Sequence, residues 1–332
     1  MRVFVTGASG YIGRRLVQKL AEEGHDIIMI LRNPGAVNGI TNKANVLIGD
    51  IFNRETLLKG MNDCDWVFHL AAYAKPTSLD RDLPYRTNVD GTKNVIEAAV
   101  NAGVKKVVIT STAGTMGFSK DSIPVDEETN KNLLYHTEYE RTKHLAEEIA
   151  ISSATPSTSI CIVNPTRVFG PGKLSKSNSM TRIIKLYGKG IWRIIPGDGD
   201  SIGNYAFIDD VVTGHIQAAK CGRSGERYIL GGENLSFLEL FESIGEAYGI
   251  KRKMYFVSRE NLKRIASMSG KVSRLFGRPA LISDNWIDKY LQNWILSSNK
   301  AIKEIAYRIT PIDEALGITV DWIKSGRHRN GE

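Results

Sequence analysis

The first thirteen residues, Met1-Arg-Val-Phe-Val-Thr-Gly-Ala-Ser-Gly-Tyr-Ile-Gly13, constrain the fold more than any other stretch of the chain. An apolar run, Arg2 to Val5, breaks into three glycines just where Arg14-Arg-Leu-Val-Gln-Lys-Leu20 begins to carry apolar residues at helical spacing. Gly7, Gly10 and Gly13 therefore sit at a strand-to-helix junction. Each has a physical reason to be glycine in a turn that binds a dinucleotide. Gly7 permits the tight turn, Gly10 lets the backbone approach a pyrophosphate, and Gly13 lets the helix pack closely on the strand, with the anion at the helix N-terminus. The same spacing could be a bare structural turn, but its place in a strand-helix unit favours cofactor binding.

A second feature is Tyr139-Glu-Arg-Thr-Lys143. On a helix, this four-residue spacing puts phenol and ammonium on one face, where the cation favours phenolate. A free tyrosine ionises near pH ~10, so proton transfer near neutrality requires such help. Upstream, Val107-Val-Ile-Thr-Ser-Thr-Ala-Gly114 reads as a strand ending in hydroxyl residues. Those hydroxyls suit either hydrogen bonding to a substrate carbonyl at the C-terminal edge of a parallel sheet or capping of the next turn.

Strands expected at about 2–6, 26–31, 45–48, 66–70, 106–110 and 159–163 alternate with helical patterns. That alternation implies an α/β fold with a doubly wound parallel sheet of Rossmann type. After Pro171 the wording changes to two polar loops, Gly172 to Asn178 and Pro196 to Gly203. The expected division is a nucleotide-binding domain over 1–170 and about 205–232. A smaller, mostly helical C-terminal substrate lobe takes about 171–204 and 233–332. At 332 residues and 42% hydrophobic, the chain can bury a core of that size.

Taken together, Thr6 to Gly13, Thr110 to Thr112 and Tyr139 with Lys143 resemble the extended short-chain dehydrogenase/reductases, the NAD-dependent epimerase/dehydratase family. Gly49-Asp50-Ile51, His69 to Ala72, Asn88 to Thr92, Asn164-Pro165 and Phe207 to Val211 extend the resemblance, which runs through residues 1 to 232. The wording is most similar to the branch of dihydroflavonol reductases and 3β-hydroxysteroid dehydrogenases, as at Arg227 to Asn234. The resemblance implies Thr112, Tyr139 and Lys143 as the catalytic set, with Ser111 a structural hydroxyl. It implies cofactor contacts from Gly7, Ser9, Gly10, Tyr11, Ile12, Gly13, Asp50, Ile51, Leu70, Ala71, Ala72, Asn88, Thr110, Tyr139, Lys143, Pro165 and Val168. A homodimer through the helices holding Asn88 to Ala102 and Tyr139 to Ile149 would follow the family's habit.

Cofactor choice is read at the end of the second strand. An NAD site would place an acidic side chain there to accept from the ribose hydroxyls. This chain has Arg32, whose guanidinium can clamp a 2′-phosphate, so NADP is expected, with NAD the alternative. Departures from the relatives narrow the reaction. Where dehydratases of the family carry an Asp-Glu pair after the catalytic threonine, this chain has Ala113-Gly114. Where nucleotide-sugar epimerases carry Arg-Asp, it has Asn204-Tyr-Ala206. Tyr205, Met116, Phe118, Tyr187 and Trp192 could line an apolar substrate pocket or simply pack in the core.

The expected activity is an NADP-dependent oxidoreductase moving hydride between nicotinamide and a carbonyl or alcohol of a fairly apolar small molecule. A nucleotide-sugar epimerase with tightly bound NAD is the alternative, and a non-catalytic dinucleotide-binding regulator a second. The strand expected at residue 2 leaves no room for a signal before it, no apolar run reaches membrane-spanning length, and three scattered cysteines read as reduced thiols. A cytoplasmic protein is expected. The six histidines show no ligand spacing, so no metal is expected. The net charge of +8 is concentrated at Lys251 to Lys253, Arg259, Lys263, Arg264, Lys271, Arg274, Arg278 and the tail from Lys324 to Arg329. Around Leu262, Ile265, Ala266, Val272, Leu275 and Phe276 the pattern is basic and amphipathic. It fits an ordinary helix with a solvated face, or a helix resting on an anionic membrane. Nothing in the chain reads as a nucleic-acid motif.

Overall fold

A computed structural model describes residues 1–33, 35, 43–74, 78, 80–120, 122–129, 135, 137–174, 178–275 and 284–326, without the side chains of 269–275 and 284–286. Lys271, Arg274, Val272 and Leu275 thus have no described side chains, and Phe276, Arg278 and 327–332 lie outside the described residues, as do 175–177 of the first polar loop. The first half alternates strands and helices: β1 (Arg2–Thr6), α1 (Tyr11–Glu22), β2 (Asp26–Leu31), β3 (Ala44–Ile48), α2 (Arg54–Met61), β4 (Trp66–His69), α3 (Leu83–Tyr85), α4 (Gly91–Asn101), β5 (Lys106–Thr110), α5 (Glu138–Ser152) and β6 (Ser159–Pro165). There follow β7 (Arg167–Phe169), α6 (Ser179–Gly188), β8 (Ile194–Pro196), β9 (Ile202–Phe207), α7 (Ile208–Cys221), β10 (Arg227–Leu230), β11 (Glu233–Ser236) and α8 (Phe237–Tyr248). The chain ends with β12 (Tyr255–Val257), α9 (Arg259–Leu275), α10 (Asp284–Tyr290), α11 (Asn299–Ile305) and α12 (Ile312–Lys324).

Seven strands form one parallel sheet in the order β10-β6-β5-β4-β1-β2-β3. The inner strands read as near-continuous apolar runs because both faces are covered, while edge strand β3 leaves Val46 and Ile48 exposed. Val3 and Val5 enter one core with Leu16 and Leu20 of α1 and Val211 of α7, while Phe4 enters the other with Leu57 of α2 and Val95 of α4. The sheet is the Rossmann arrangement with one added strand. Its strand order reverses between β1 and β4, and the crevice outside their carboxyl ends is where such sheets bind ligands.

Two small sheets stand beside the large one: β11-β9-β7, and β12 with β8. Strand β10 joins the main sheet beside β6, and β9 pairs with β7 and β11. Tyr307, which follows α11, and Ile312, Leu316 and Val320 of α12 pack into the same core as Val3 and Val5. On α9, Ala266 is buried, Ile265 and Met268 are exposed, and Arg259 and Lys263 both pair with Asp288. Among the described residues no helix is long and apolar enough to cross a membrane.

Candidate active site

The glycine turn is shaped by contacts that only glycine tolerates. Gly7 has φ +72°, and a Cβ there would lie 2.6 Å from the backbone nitrogen of Ala71. At Gly13 a Cβ would come 2.2 Å from the carbonyl oxygen of Gly7, so α1 could not approach β1. Gly10 is exposed and caps α1 without any side-chain hydrogen bond. The first turn of α1 holds no acidic residue. The helix terminus thus offers free N–H groups and the positive end of its dipole, which suits a pyrophosphate. Tyr11 differs from its neighbours in the turn: its hydroxyl is buried and donates to the carbonyl of Gly170 at 2.9 Å, tying the turn to the segment after β7. Ser9 and Ile12 are half-buried in the same turn.

A buried polar chain links this turn to α5. The N–H of Ala71 donates to Thr6 Oγ1 at 3.2 Å, and Thr6 Oγ1 meets His69 Nδ1 at 2.7 Å. His69 Nε2 meets Thr92 Oγ1 at 3.0 Å, and Thr92 donates to the carbonyl of Asn88 at 2.6 Å. Thr92 spends its proton on Asn88, so it accepts from His69 Nε2–H, which leaves Nδ1 to accept from Thr6. Burial and the nearby Lys143 charge push His69 down to about 3, which keeps the imidazole neutral and this tautomer fixed. Asn88 then holds the backbone of Tyr73 on one side and donates to Thr142 Oγ1 on the other, at 2.7 and 2.9 Å. Thr142 lies between Tyr139 and Lys143.

Helix α5 starts with a capping box, Thr137 with Glu140, and so fixes the phase of the residues behind it. Lys143 is 2% exposed and its Nζ donates to the carbonyl of Thr110 at 2.6 Å. Burial pushes its ammonium down to about 8, opposed by Glu147. Tyr139 is half-buried, and its phenol is raised above the ordinary tyrosine value by burial, then by Glu140 and Glu147. Thr112 caps the short helix 113–115, its Oγ1 accepting from the N–H of Gly114 at 3.2 Å. That leaves its O–H free to donate. Thr110 turns its hydroxyl inward to His215 Nε2 at 2.9 Å; His215 Nδ1 donates to the carbonyl of Val211, and burial keeps this ring neutral, down to about 4.

Beneath this edge lies a group the sequence reading passed over. Glu147, 1% exposed, accepts from Thr115 Oγ1 at 2.8 Å and Asn164 Nδ2 at 2.7 Å. Asn164 Nδ2 also reaches the carbonyl of Thr112 at 3.1 Å. Burial raises Glu147 above the usual carboxylate value, against the hydrogen bonds it accepts. Its place four residues beyond Lys143 and eight beyond Tyr139 was a readable signal, because all three share one helix face.

The remaining expected positions lie at or just past the carboxyl ends of main-sheet strands, except Val168 in a small sheet. Arg32 is exposed just past β2, Asp50 follows β3 and accepts from the N–H of Phe52, and Ile51 is buried against Gly91. Leu70, Ala71 and Ala72 follow β4 at the strand-order reversal, Pro165 closes β6, and Val168 lies in β7. The proposed apolar lining divides. Met116 is buried with Ala113, Val125, Ile229 and Leu296, and Tyr187 is buried against Phe241, so both serve core packing. Phe118 and Trp192 are half-buried. Tyr205 is buried beside Arg167.

Residues 3–231 match the model of the NAD dependent epimerase/dehydratase family. The chain belongs to this family. It is similar to a putative dihydroflavonol 4-reductase of Synechocystis, with 27% identity across 97% of this chain and 94% of that one. The mouse sterol-4-alpha-carboxylate 3-dehydrogenase, decarboxylating, is 30% identical over 65% of this chain and 58% of its own. Among solved structures, UDP-glucuronic acid 4-epimerase from Bacillus cereus in complex with NAD superposes with a TM-score of 0.76 at 22% identity, covering 98% of this chain and 99% of that one. The epimerase/dehydratase family member described above is accordingly an NAD(P)-dependent enzyme of the extended short-chain dehydrogenase/reductase type.

Proposed function

We propose that this enzyme is an NADP-dependent oxidoreductase that transfers hydride between nicotinamide and a carbonyl or alcohol of a fairly apolar small molecule. The observation that carries the reading is the common face of α5, which Tyr139 shares with Lys143, the latter bonded to Thr110 at the end of β5. The glycine turn, the loop after β4 and the uncapped start of α1 would hold the dinucleotide, and Arg32 would hold a 2′-phosphate. Bound there, the nicotinamide supplies or accepts the hydride. Tyr139, kept protonated by its surroundings, donates the proton to the nascent alkoxide in reduction. Lys143 contributes a buried positive charge that favours the phenolate left behind. Thr112 donates its free O–H to the developing oxyanion. Ala113 and Gly114 offer no carboxylate for dehydration.

The epimerase reading keeps the same groups and differs in outcome. The test is a screen of carbonyls, alcohols and nucleotide sugars, following nicotinamide absorbance. A net absorbance change supports the reductase, while sugar isomerisation without net change would replace it by the epimerase. Tyr139→Phe should keep cofactor affinity and slow single-turnover hydride transfer by roughly 10²- to 10⁴-fold. Wild-type transfer in that variant would remove Tyr139 as the acid.

A further inference from the structure

Arg167, the first residue of β7, is half-buried among aromatic rings. Its guanidinium carbon lies 4.8 Å from the ring centre of Tyr290, 5.5 Å from that of Tyr205 and 5.8 Å from that of Phe237. Its Nη1 donates to the hydroxyl of Tyr205 at 3.1 Å. Among the described residues no carboxylate lies within ion-pair distance of it. Gly203 makes the room: a Cβ there would fall 2.2 Å from Arg167 Nη1. Ring faces stabilise a cation but do not neutralise it, and one phenolic oxygen satisfies one of five N–H donors. A half-buried guanidinium whose other donors meet no carboxylate among the described residues is a fork-shaped site for a planar anion.

Shared elements connect that fork to the candidate catalytic edge. Asn164, three residues before Arg167, bonds to the carbonyl of Thr112. Helix α10 bridges the two from above. Its Lys289 pairs with Glu140, the residue after Tyr139, and lies against the Thr112–Thr115 turn, where a Cβ on Gly114 would come 3.4 Å from Lys289 Nζ. The next residue of α10 is Tyr290, whose ring covers Arg167.

We propose that Arg167 is a substrate-binding residue that takes a carboxylate carried by the substrate at some distance from the reacting carbonyl, so that the preferred substrates are apolar keto or hydroxy acids. This rests on the oxidoreductase reading above and narrows its substrate class. A lone fork lined by three rings suits one carboxylate on an apolar body better than a hydrated diphosphate.

The experiment compares 4-oxo-4-phenylbutanoate with its methyl ester as substrates of the NADPH-loaded enzyme, in wild type, Arg167→Met and Arg167→Lys. It adds calorimetric binding of 4-phenylbutanoate, 4-phenylbutanamide and UDP-glucose to the same loaded proteins. The wild type should favour the keto acid in kcat/KM, and Arg167→Met should cut that value by about 10- to 100-fold while leaving the ester within about 3-fold, as expected for loss of a charged hydrogen bond. Arg167→Lys should recover part of the preference. Calorimetry should show 4-phenylbutanoate binding more tightly than the amide in wild type only. Equal handling of acid and ester by wild type, or equal losses on both in Arg167→Met, would overturn the proposal and leave the oxidoreductase reading standing. Arg167-dependent binding of UDP-glucose without acid preference would overturn it in favour of a diphosphate. If no carbonyl is reduced, the oxidoreductase reading fails, and the acid-over-amide binding preference alone then decides the proposal.

Discussion

Lys143 should cost the apoprotein stability, and the cost should disappear with rising pH. The ammonium is buried and pushed from 10.5 to about 8, chiefly by desolvation. Each pH unit of that gap is worth about 1.4 kcal/mol, so the folded state below pH 8 carries a penalty of about 3 kcal/mol. Between pH 8 and 10.5 the unfolded chain holds the lysine proton and the folded one does not. Folded-state stability from this group therefore rises with pH through that window and is at its lowest below it. Lys143→Met keeps the apolar stem and removes the titration. It also removes the hydrogen bond to Thr110, a loss that shifts the variant's stability by a nearly constant amount. The slope, not the offset, carries the test. Urea unfolding of cofactor-free wild type and variant, measured from about pH 7 to about pH 10, should show the wild type gaining on Lys143→Met by up to about 1.4 kcal/mol per unit above pH 8. A difference that does not change with pH would refute the argument. The variant should also lose cofactor affinity and turnover together.

Removing the guanidinium in Arg32→Ala should bring NADPH and NADH to similar affinity from a wild-type preference of roughly 10-fold or more, measured by fluorescence titration; an unchanged ratio would leave no basis for NADP. His69 is held neutral down to about 3, below its ordinary 6.5, so the unfolded chain takes up its proton first and stability is lost as pH falls from about 6.5 toward 3. His69→Gln should flatten that acid-side slope by about 1.4 kcal/mol per pH unit in denaturant titrations, and an unchanged slope would mean that the imidazole is charged in the fold. Thr112→Val, close in shape, should spare cofactor binding and slow hydride transfer, as one hydrogen bond to the oxyanion is lost; equal rates would leave Thr112 with its capping role alone.

The parallel sheet was readable because strands covered on both faces become unbroken apolar runs, as at Ile27 to Leu31 and Val107 to Ile109. The glycine turn was readable because its backbone contacts exclude a Cβ at Gly7 and Gly13. Pairing between distant short strands left no such trace. Nothing local at Arg167 or Ile202 says that β7 and β11 flank β9, since three- to six-residue strands pair through long-range packing. The site divides along the same line. Tyr139, Lys143 and Glu147 recur every four residues on one helix and belong together by periodicity alone. Asn164 and Thr115 join Glu147 only once the chain has folded, and Arg167 looks like any surface arginine until three rings from β9, α8 and α10 close around it.

The bridge formed by α10 has a consequence for how such a protein could be re-engineered. Lys289 grips Glu140 at the start of α5, the helix proposed to carry the proton donor, and the ring of the very next residue covers Arg167. Glu140 is 1% exposed, so a chimaera that imported a foreign C-terminal segment without a cation matching Lys289 would strand a buried carboxylate one residue from Tyr139. On the proposed reading, redesign of substrate choice has to leave position 289 alone and work outward from 290, because α10 both covers the proposed substrate fork and seats the helix proposed to carry the proton donor.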